Sequence, residues 1–114
     1  QSHDLWHIVG GYETTALHEI AISAFQMAQF GHNYSAQFLA VTAAIGAISP
    51  PEGWGVLMDT ITSAWKHGRE TPPLIAIQWE DVWQLSTEEI RSRFQIVPYQ
   101  SPYPANLIEQ LRAA

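Results

Sequence analysis

The sequence of 114 residues contains no cysteine. It therefore has neither a disulfide framework nor a thiolate metal site, and cysteine usage says nothing about the redox compartment. Basic residues are scarce too, with five Lys and Arg against eleven Asp and Glu and a formal net charge of −6. This balance argues against nucleic acid as a partner, because binding to phosphates needs a basic surface. It also argues against a polybasic membrane anchor.

Long hydrophobic runs are missing as well. No apolar stretch reaches the roughly eighteen residues of a membrane-spanning helix. No signal peptide is visible, although a missing start could have carried one. The chain is long enough to bury a core as one domain. We expect an all-α fold, a compact bundle of about five helices with one short extended apolar segment.

Glycines and caps predict the limits of the first two helices. The first begins near residue 3 and ends at the pair Gly10-Gly11. The second begins after Tyr12 with Thr14 as its N-cap, and it ends at Gly31, which suits a left-handed stop. Its apolar residues recur at helical spacing, so one face should pack against the core.

The next two helices differ in pattern. The third, from about residue 33 to Ile48, is apolar nearly all round and ends before two prolines. Such a helix is buried in the core, against a partner or against lipid. The fourth carries an amphipathic stripe that we expect to face the core, formed by Trp54, Leu57, Met58, Ile61, Ala64 and Trp65.

The remaining chain contains shorter elements. Leu74–Ile77 is an apolar run between turn signals and reads as an extended buried segment. Ser86 to Glu89 forms a capping box that opens a short helix, and we expect Arg91 and Arg93 to be solvated charges on its outer side. Prolines then predict an extended linker and a last helix near Leu107–Leu111. We divide the chain into a helical domain, residues 1–98, and a Pro-rich extension, residues 99–114.

Candidate metal ligands cluster in the first nineteen residues. His3 and His7 are four residues apart, so on a helix their Cβ atoms lie about 6 Å apart on successive turns. Asp4, at the edge of the same face, could ligate or act as a base beside the ligands. Glu19 arrives on the second helix, and the four side chains make a plausible nitrogen and oxygen site. Without the full pattern, two solvated or hydrogen-bonded histidines and a solvated surface carboxylate would be the favoured explanation of these residues.

The pattern H-D-x-x-H-x11-E resembles the signature of the coenzyme Q (ubiquinone) biosynthesis family, its fourth named member, whose proteins carry it as a metal site. The resemblance continues in order through further segments, which are Trp6–Tyr12, Leu17–Ala21, Trp65–Arg69, Pro73–Glu80 and Glu89–Arg91. Two departures are His18, where the family usually has Gly, and Ser86-Thr87, where it has Pro-Leu. Family members have about as much chain again before the motif, so we expect a C-terminal portion or a truncated homologue.

The resemblance implies a divalent metal held by His3, Asp4, His7 and Glu19, with zinc first and iron, manganese or magnesium as alternatives. Asp4 would be the catalytic acid or base if it does not ligate. The implied substrate is a polyprenylated hydroxybenzoate, whose ring loses its C1 carboxylate by oxidative decarboxylation. On the apolar faces of helices two and three, we expect lipid contacts from Phe25, Phe38 and Ile45.

Two other functions stay open. The chain could be a non-catalytic scaffold that binds isoprenoid lipid and organises other quinone-biosynthesis proteins, or a metal-dependent hydrolase. Four protein ligands would close a tetrahedral site and favour a structural metal, whereas three would leave room for substrate. We expect a peripheral membrane protein, on the cytoplasmic face in a bacterium or the matrix side of the mitochondrial inner membrane in a eukaryote. An exposed third helix would favour a homo-oligomer or membrane contact.

Overall fold

A computed structural model describes the backbone of residues 2–31, 33–47, 51–74, 77 and 79–113. Its described side chains exclude those of residues 2–4, 33–34, 45–47, 51, 81 and 111–113. Within these ranges the protein is helical and has no strand, so the predicted all-α class is confirmed. The helices are α1 (Ser2–Gly10), α2 (Ala16–Phe30), α3 (Asn33–Ala47), α4 (Pro51–Glu70), α5 (Thr87–Phe94) and α6 (Leu107–Ala113), with a 3₁₀ turn at Trp79–Val82 before α5.

Capping residues set both ends of α2. The Thr15 hydroxyl accepts the N–H of His18 at 3.5 Å, and Gly31 adopts a left-handed φ of 62° and donates its N–H to the Met27 carbonyl. The predicted stop at Gly31 is confirmed, whereas Thr14 as the cap is wrong by one residue. Thr14 and Thr15 both have a hydroxyl that can cap a helix. Which of them does so depends on where the helix begins, because the capping residue lies three positions before the N–H that it accepts, here that of His18.

Helix α2 is the centre of the fold and packs against α3 and α4. The core cluster combines buried residues of α2 with others from α1, α3, α4, α5 and the connecting segments, and its members are Trp6, Val9, Tyr12, Ala21, Ile22, Ala24, Phe25, Leu39, Ala64, Leu74, Val82, Ile90, Ile96 and Tyr99. Helices α2 and α4 approach closely at Gly68, where a Cβ atom would lie 2.8 Å from the Phe25 carbonyl oxygen and from the Ala28 Cβ.

The apolar stripe predicted for α4 is only partly buried. Leu57 and Ala64 face the core, but Trp54 and Trp65 are 38% and 37% exposed. The prediction that the whole stripe is core was therefore wrong for the two tryptophans. The buried face of α4 contains Leu57, Ala64 and Gly68. Trp54 and Trp65 lie at the sides of this face, where solvent reaches them.

Helix α3 is half-covered. Ser35 and Leu39 are buried, whereas Val41 is 60% exposed. None of the described helices combines the length and apolar character that crossing a bilayer requires. Contact of α3 with a second copy or with lipid stays a prediction.

The C-terminal segment contacts the helical core. Tyr99 is buried, and its N–H donates to the Gly10 carbonyl at 2.8 Å. The Glu109 carboxylate accepts the N–H of Ala16 at 3.2 Å, at the first residue of α2. The division of the chain at residue 98 stays a prediction. Residues 75 and 76 of the predicted extended segment lie outside the described residues. Leu74 is fully buried, and the Ile77 N–H donates to its carbonyl at 3.2 Å, a bond typical of a turn and not of an extended segment.

Candidate metal centre

The turn between α1 and α2 brings the two halves of the motif together. Gly11 has a φ of 81°, in the left-handed region, and a Cβ there would lie 2.8 Å from the Pro98 Cβ. The N–H of Tyr12 donates to the His7 carbonyl at 2.8 Å and closes the end of α1. The chain then reverses, so Glu19 in the first turn of α2 comes within reach of His7 on α1.

His7 and Glu19 are the two motif residues whose side chains the structure describes. The His7 Nε2 atom lies 3.4 Å from the Glu19 Oε1 atom. The His7 side chain is 8% exposed and that of Glu19 is 41% exposed. The structure therefore brings together two side chains that are twelve positions apart. His3 and Asp4 belong to the first turn of α1, but their side chains lie outside the described residues.

The His7 ring is oriented by backbone carbonyls. Its Nδ1 atom lies 3.1 Å from the Tyr12 carbonyl oxygen and 3.0 Å from the Glu13 carbonyl oxygen. A carbonyl only accepts hydrogen bonds, so Nδ1 carries the proton and donates it. In the neutral ring Nε2 therefore has the lone pair, and it faces a carboxylate oxygen. A backbone carbonyl on the far nitrogen is the usual partner of a histidine that ligates a metal.

These observations fit a metal site. A tetrahedral ion with bonds of about 2.0–2.1 Å holds its ligand atoms roughly 3.4 Å apart, which matches the separation of Nε2 and Oε1. The same separation also falls within the range of an ion pair between a histidine and a carboxylate. Among the described side chains no group of three His, Asp or Glu residues converges on one point. The described part of the site is thus the His7–Glu19 pair.

Three residues that the sequence reasoning did not place in the site surround the turn. The Tyr12 ring is buried, stacks on Tyr99 at 4.6 Å, and its hydroxyl lies 2.7 Å from the Nδ1 atom of His67. His18 accepts the Glu13 N–H on its Nδ1 atom at 2.9 Å. Burial lowers the pKa of both histidines, and burial together with the neighbouring Tyr99 raises the pKa of Tyr12. All three side chains are therefore uncharged at neutral pH.

A signal for Tyr12 was present in the sequence, because it is the last residue of Trp6–Tyr12, one of the segments that resemble the family. His18 stood out only as a departure from the family pattern. No sequence signal indicated His67, which lies 55 residues from Tyr12.

Arg91 is a further residue whose role was mispredicted. Its Nε atom donates to the Val9 carbonyl at 2.9 Å and its Nη2 atom to the Ile8 carbonyl at 2.7 Å. The last carbonyls of a helix have no partner within the helix and attract a cation. Arg91 is therefore not a solvated charge, since it caps the C-terminal end of α1.

The predicted lipid contacts differ in accessibility. Phe25 is fully buried in the core, and Phe38 on α3 is half-buried. The side chain of Ile45 lies outside the described residues. Lipid binding by these residues stays a prediction.

An open apolar pocket of about 240 Å³ lies between α1, the 3₁₀ turn and α5. Its lining residues are Leu5, Ile8, Val9, Trp79, Val82, Trp83, Leu85, Thr87 and Ile90. Trp83 is 73% exposed and Ile8 is 56% exposed. No ionisable side chain occurs among the described residues that line the pocket, so this lining is suited to an apolar ligand.

Comparisons with known proteins agree with the motif. A family model described as coenzyme Q (ubiquinone) biosynthesis protein Coq4 matches residues 1–100. The crystal structure of a Nostoc punctiforme protein, whose name assigns it to ubiquinone biosynthesis, superposes with a TM-score of 0.71 at 31% sequence identity. The match covers 83% of this chain and 46% of that one, so the chain spans less than half of that relative's length. No curated protein sequence matches.

Proposed function

Because the chain belongs to the coenzyme Q (ubiquinone) biosynthesis protein Coq4 family, we propose that it acts in ubiquinone biosynthesis. It binds a divalent metal and a polyprenylated hydroxybenzoate and supports oxidative removal of the ring's C1 carboxylate. The observation that carries this proposal is the pairing of His7 Nε2 with Glu19 Oε1 at 3.4 Å. The His7 tautomer, fixed by backbone carbonyls, leaves that nitrogen as an electron-pair donor.

The proposed ligands are His3, Asp4, His7 and Glu19, with zinc first and iron, manganese or magnesium as alternatives. A divalent ion bound there supplies Lewis acidity to an oxygen of the ring's carboxylate or hydroxyl group. The carbonyls of Tyr12 and Glu13 hold the His7 ring, and the Glu19 carboxylate adds negative charge beside it. Asp4 is the proposed acid or base if it does not ligate.

The proposed reaction breaks the bond between C1 and the carboxylate carbon. Carbon dioxide leaves, and C1 gains a hydroxyl oxygen, so an oxygen-atom donor is needed as a co-substrate. The chain's own contribution is to bind the ring, to keep it beside the His7–Glu19 pair, and to exchange the hydroxyl proton at Asp4.

The apolar tail needs a separate surface. The pocket beside α1 is smaller than the roughly 300 Å³ of a typical ligand site, so it would hold part of a tail. Phe38 and Ile45 on α3 are the proposed further contacts, whereas a tail would reach Phe25 only if the core opened. A protein that binds such a lipid would lie at a membrane surface, on the cytoplasmic face in a bacterium or on the matrix side in a mitochondrion. Other quinone-biosynthesis proteins and a second copy of the chain are its proposed partners.

Metal content of the purified chain tests the proposal. We expect about one equivalent of a divalent metal per chain, lost in His7→Ala and in Glu19→Ala. Glu88→Ala, a change of an exposed carboxylate on α5, is the matched control and should retain the metal. An absence of metal after loading with zinc, iron, manganese and magnesium would refute the proposal, as would full retention by both motif variants.

A second assay addresses the chemistry. The metal-loaded chain is mixed with a polyprenyl hydroxybenzoate carrying a labelled carboxylate, together with dioxygen and a reductant, and labelled carbon dioxide is measured. We expect release that depends on His7. Tight binding of the lipid without release would favour the scaffold function, which the exposed Trp83 and the apolar lining of the pocket support as a second candidate.

A further inference from the structure

We propose that His67 is a positioning residue for His7. It acts through Tyr12, so that the C-terminal turn of α4 decides which ring nitrogen of His7 faces Glu19. The metal-binding consequence rests on the proposed function. The hydrogen bonds that carry the inference belong to the chain itself and are testable without a metal.

Tyr12 holds His7 at two points. Its N–H donates to the His7 carbonyl at 2.8 Å, and its own carbonyl accepts the His7 Nδ1–H at 3.1 Å. A rotation of the Tyr12 backbone would thus displace an acceptor of the His7 ring and loosen the end of α1. The orientation of His7 depends on how firmly Tyr12 is fixed.

The Tyr12 side chain is fixed by His67. The Nε2 atom of His67 lies 2.6 Å from the Val97 carbonyl oxygen and must donate to it. In the neutral ring the Nδ1 atom is then an acceptor, and it receives the Tyr12 hydroxyl at 2.7 Å. One ring thus bonds both Tyr12 and the segment after α5. The stacking of Tyr12 on Tyr99 holds the ring plane but not the direction of its hydroxyl.

Glu13 contributes a second hydrogen bond to the His7 ring that does not depend on Tyr12. The Glu13 carbonyl accepts the same His7 Nδ1–H at 3.0 Å, and the Glu13 N–H donates to His18 at 2.9 Å. The two residues whose carbonyls face one His7 nitrogen, Tyr12 and Glu13, are therefore each bonded to a different histidine. Removing the His67 anchor leaves the Glu13 carbonyl in place, so we expect a partial and measurable loss of ring orientation rather than unfolding.

Two substitutions separate positioning from simple packing. In His67→Asn the amide oxygen can take the place of Nδ1 and accept the Tyr12 hydroxyl, but the bond to Val97 is lost. In His67→Gln the amide nitrogen can take the place of Nε2 and donate to Val97, but the bond to Tyr12 is lost. Tyr12→Phe keeps the stacked ring and removes only the hydroxyl, so it should behave as His67→Gln.

The readout is the His7 tautomer in the metal-free chain, measured by long-range proton–nitrogen NMR at alkaline pH. We expect a single Nδ1–H form in the wild-type chain and in His67→Asn, and a mixture of tautomers in His67→Gln and Tyr12→Phe. A single Nδ1–H form in all four chains would overturn the proposal. The proposal would also be overturned if His67→Asn lost the single Nδ1–H form of His7 while His67→Gln kept it. The role of His67 would then be its bond to Val97 and not its bond to Tyr12.

Zinc affinity, measured by competition with a chelator, gives the functional consequence. We expect binding about tenfold weaker in His67→Gln and unchanged in His67→Asn, in line with the effect of removing groups that orient a ligand. If the wild-type chain binds no metal, the proposed function fails, while the tautomer result still decides the role of His67. Equal affinity in both variants, with the wild-type chain binding zinc, would refute the consequence for the site.

Discussion

Gly68→Ala tests the packing that holds α4, and with it His67, against α2. A Cβ atom at this position would lie 2.8 Å from the Phe25 carbonyl oxygen, 2.8 Å from the Ala28 Cβ and 3.2 Å from the Phe25 Cα. Two of these three atoms are backbone and cannot rotate away. The two helices must therefore separate to accommodate one methyl group.

The magnitude follows from two opposed terms. Alanine favours a helix over glycine by about 0.8–1.0 kcal/mol, whereas forcing an extra carbon into a packed interface costs about 1–3 kcal/mol. The difference between the two terms is a net cost of about 0–2 kcal/mol. We expect Gly68→Ala to lower the free energy of unfolding by about 1–2 kcal/mol, in the upper part of this range, because the backbone atoms of Phe25 cannot move aside as a side chain can. Gly55→Ala on the same helix is the matched control. Nothing lies within 4 Å of its added Cβ, so it should raise the free energy of unfolding by about 0.5–1 kcal/mol.

Urea unfolding of the wild-type chain and both variants, followed by far-ultraviolet circular dichroism, measures these changes. The opposite signs at two glycines of one helix distinguish a steric effect from helix propensity. If Gly68→Ala were as stable as Gly55→Ala, the close approach of α2 and α4 at residue 68 would be wrong.

Three further predictions concern stability. Arg91→Ala should cost about 1–2 kcal/mol through the lost bonds to the end of α1, whereas Arg93→Ala, which changes an exposed charge of the same helix, should stay within about 0.5 kcal/mol; equal effects in urea unfolding would contradict the capping role. Ser86→Ala should cost about 1 kcal/mol through loss of the α5 capping box, and an unchanged urea midpoint would contradict it. Burial lowers the pKa of His18 and His67 below 6.5, so these two histidines bind protons more weakly in the folded chain than in the unfolded chain. Stability should therefore fall as the pH drops below about 6.5, and a urea midpoint that is constant from about pH 7.5 to pH 5.5 would refute this.

The helices could be predicted because their signals are local. Gly31 supplies a left-handed stop, and Ser86 with Glu89 supplies a capping box, both of which the structure confirms. The exposure of Trp54 and Trp65 could not be predicted from the same kind of pattern. Periodicity shows that a stripe exists, but the width of its buried part depends on which helix lies opposite, and this is a tertiary property.

In the candidate site, too, one part could be predicted from the sequence and another could not. The spacing of His7 and Glu19 around a glycine turn predicted that the two side chains would meet, and they do. The groups that orient them come from far along the chain. His67 reaches Tyr12 across 55 positions, and Arg91 reaches Ile8 across 83. No periodicity or spacing links residues at such distances, so sequence reasoning predicted the contact of His7 with Glu19 and missed the groups that orient the turn.

His18 shows why a departure from the family pattern can be retained in this chain. Its ring is buried, and its Nε2 atom has no hydrogen-bond partner among the described residues. A buried donor without a partner costs about 1–3 kcal/mol. The same ring accepts the Glu13 N–H and packs edge-on against Tyr12 and Tyr99. A glycine here would leave that N–H without its acceptor and would open a gap between two aromatic rings. The cost of burying the His18 Nε2 atom is thus offset by the hydrogen bond and ring contacts of the same side chain. The bond to the Glu13 N–H also fixes the residue whose carbonyl is one of the two that orient His7.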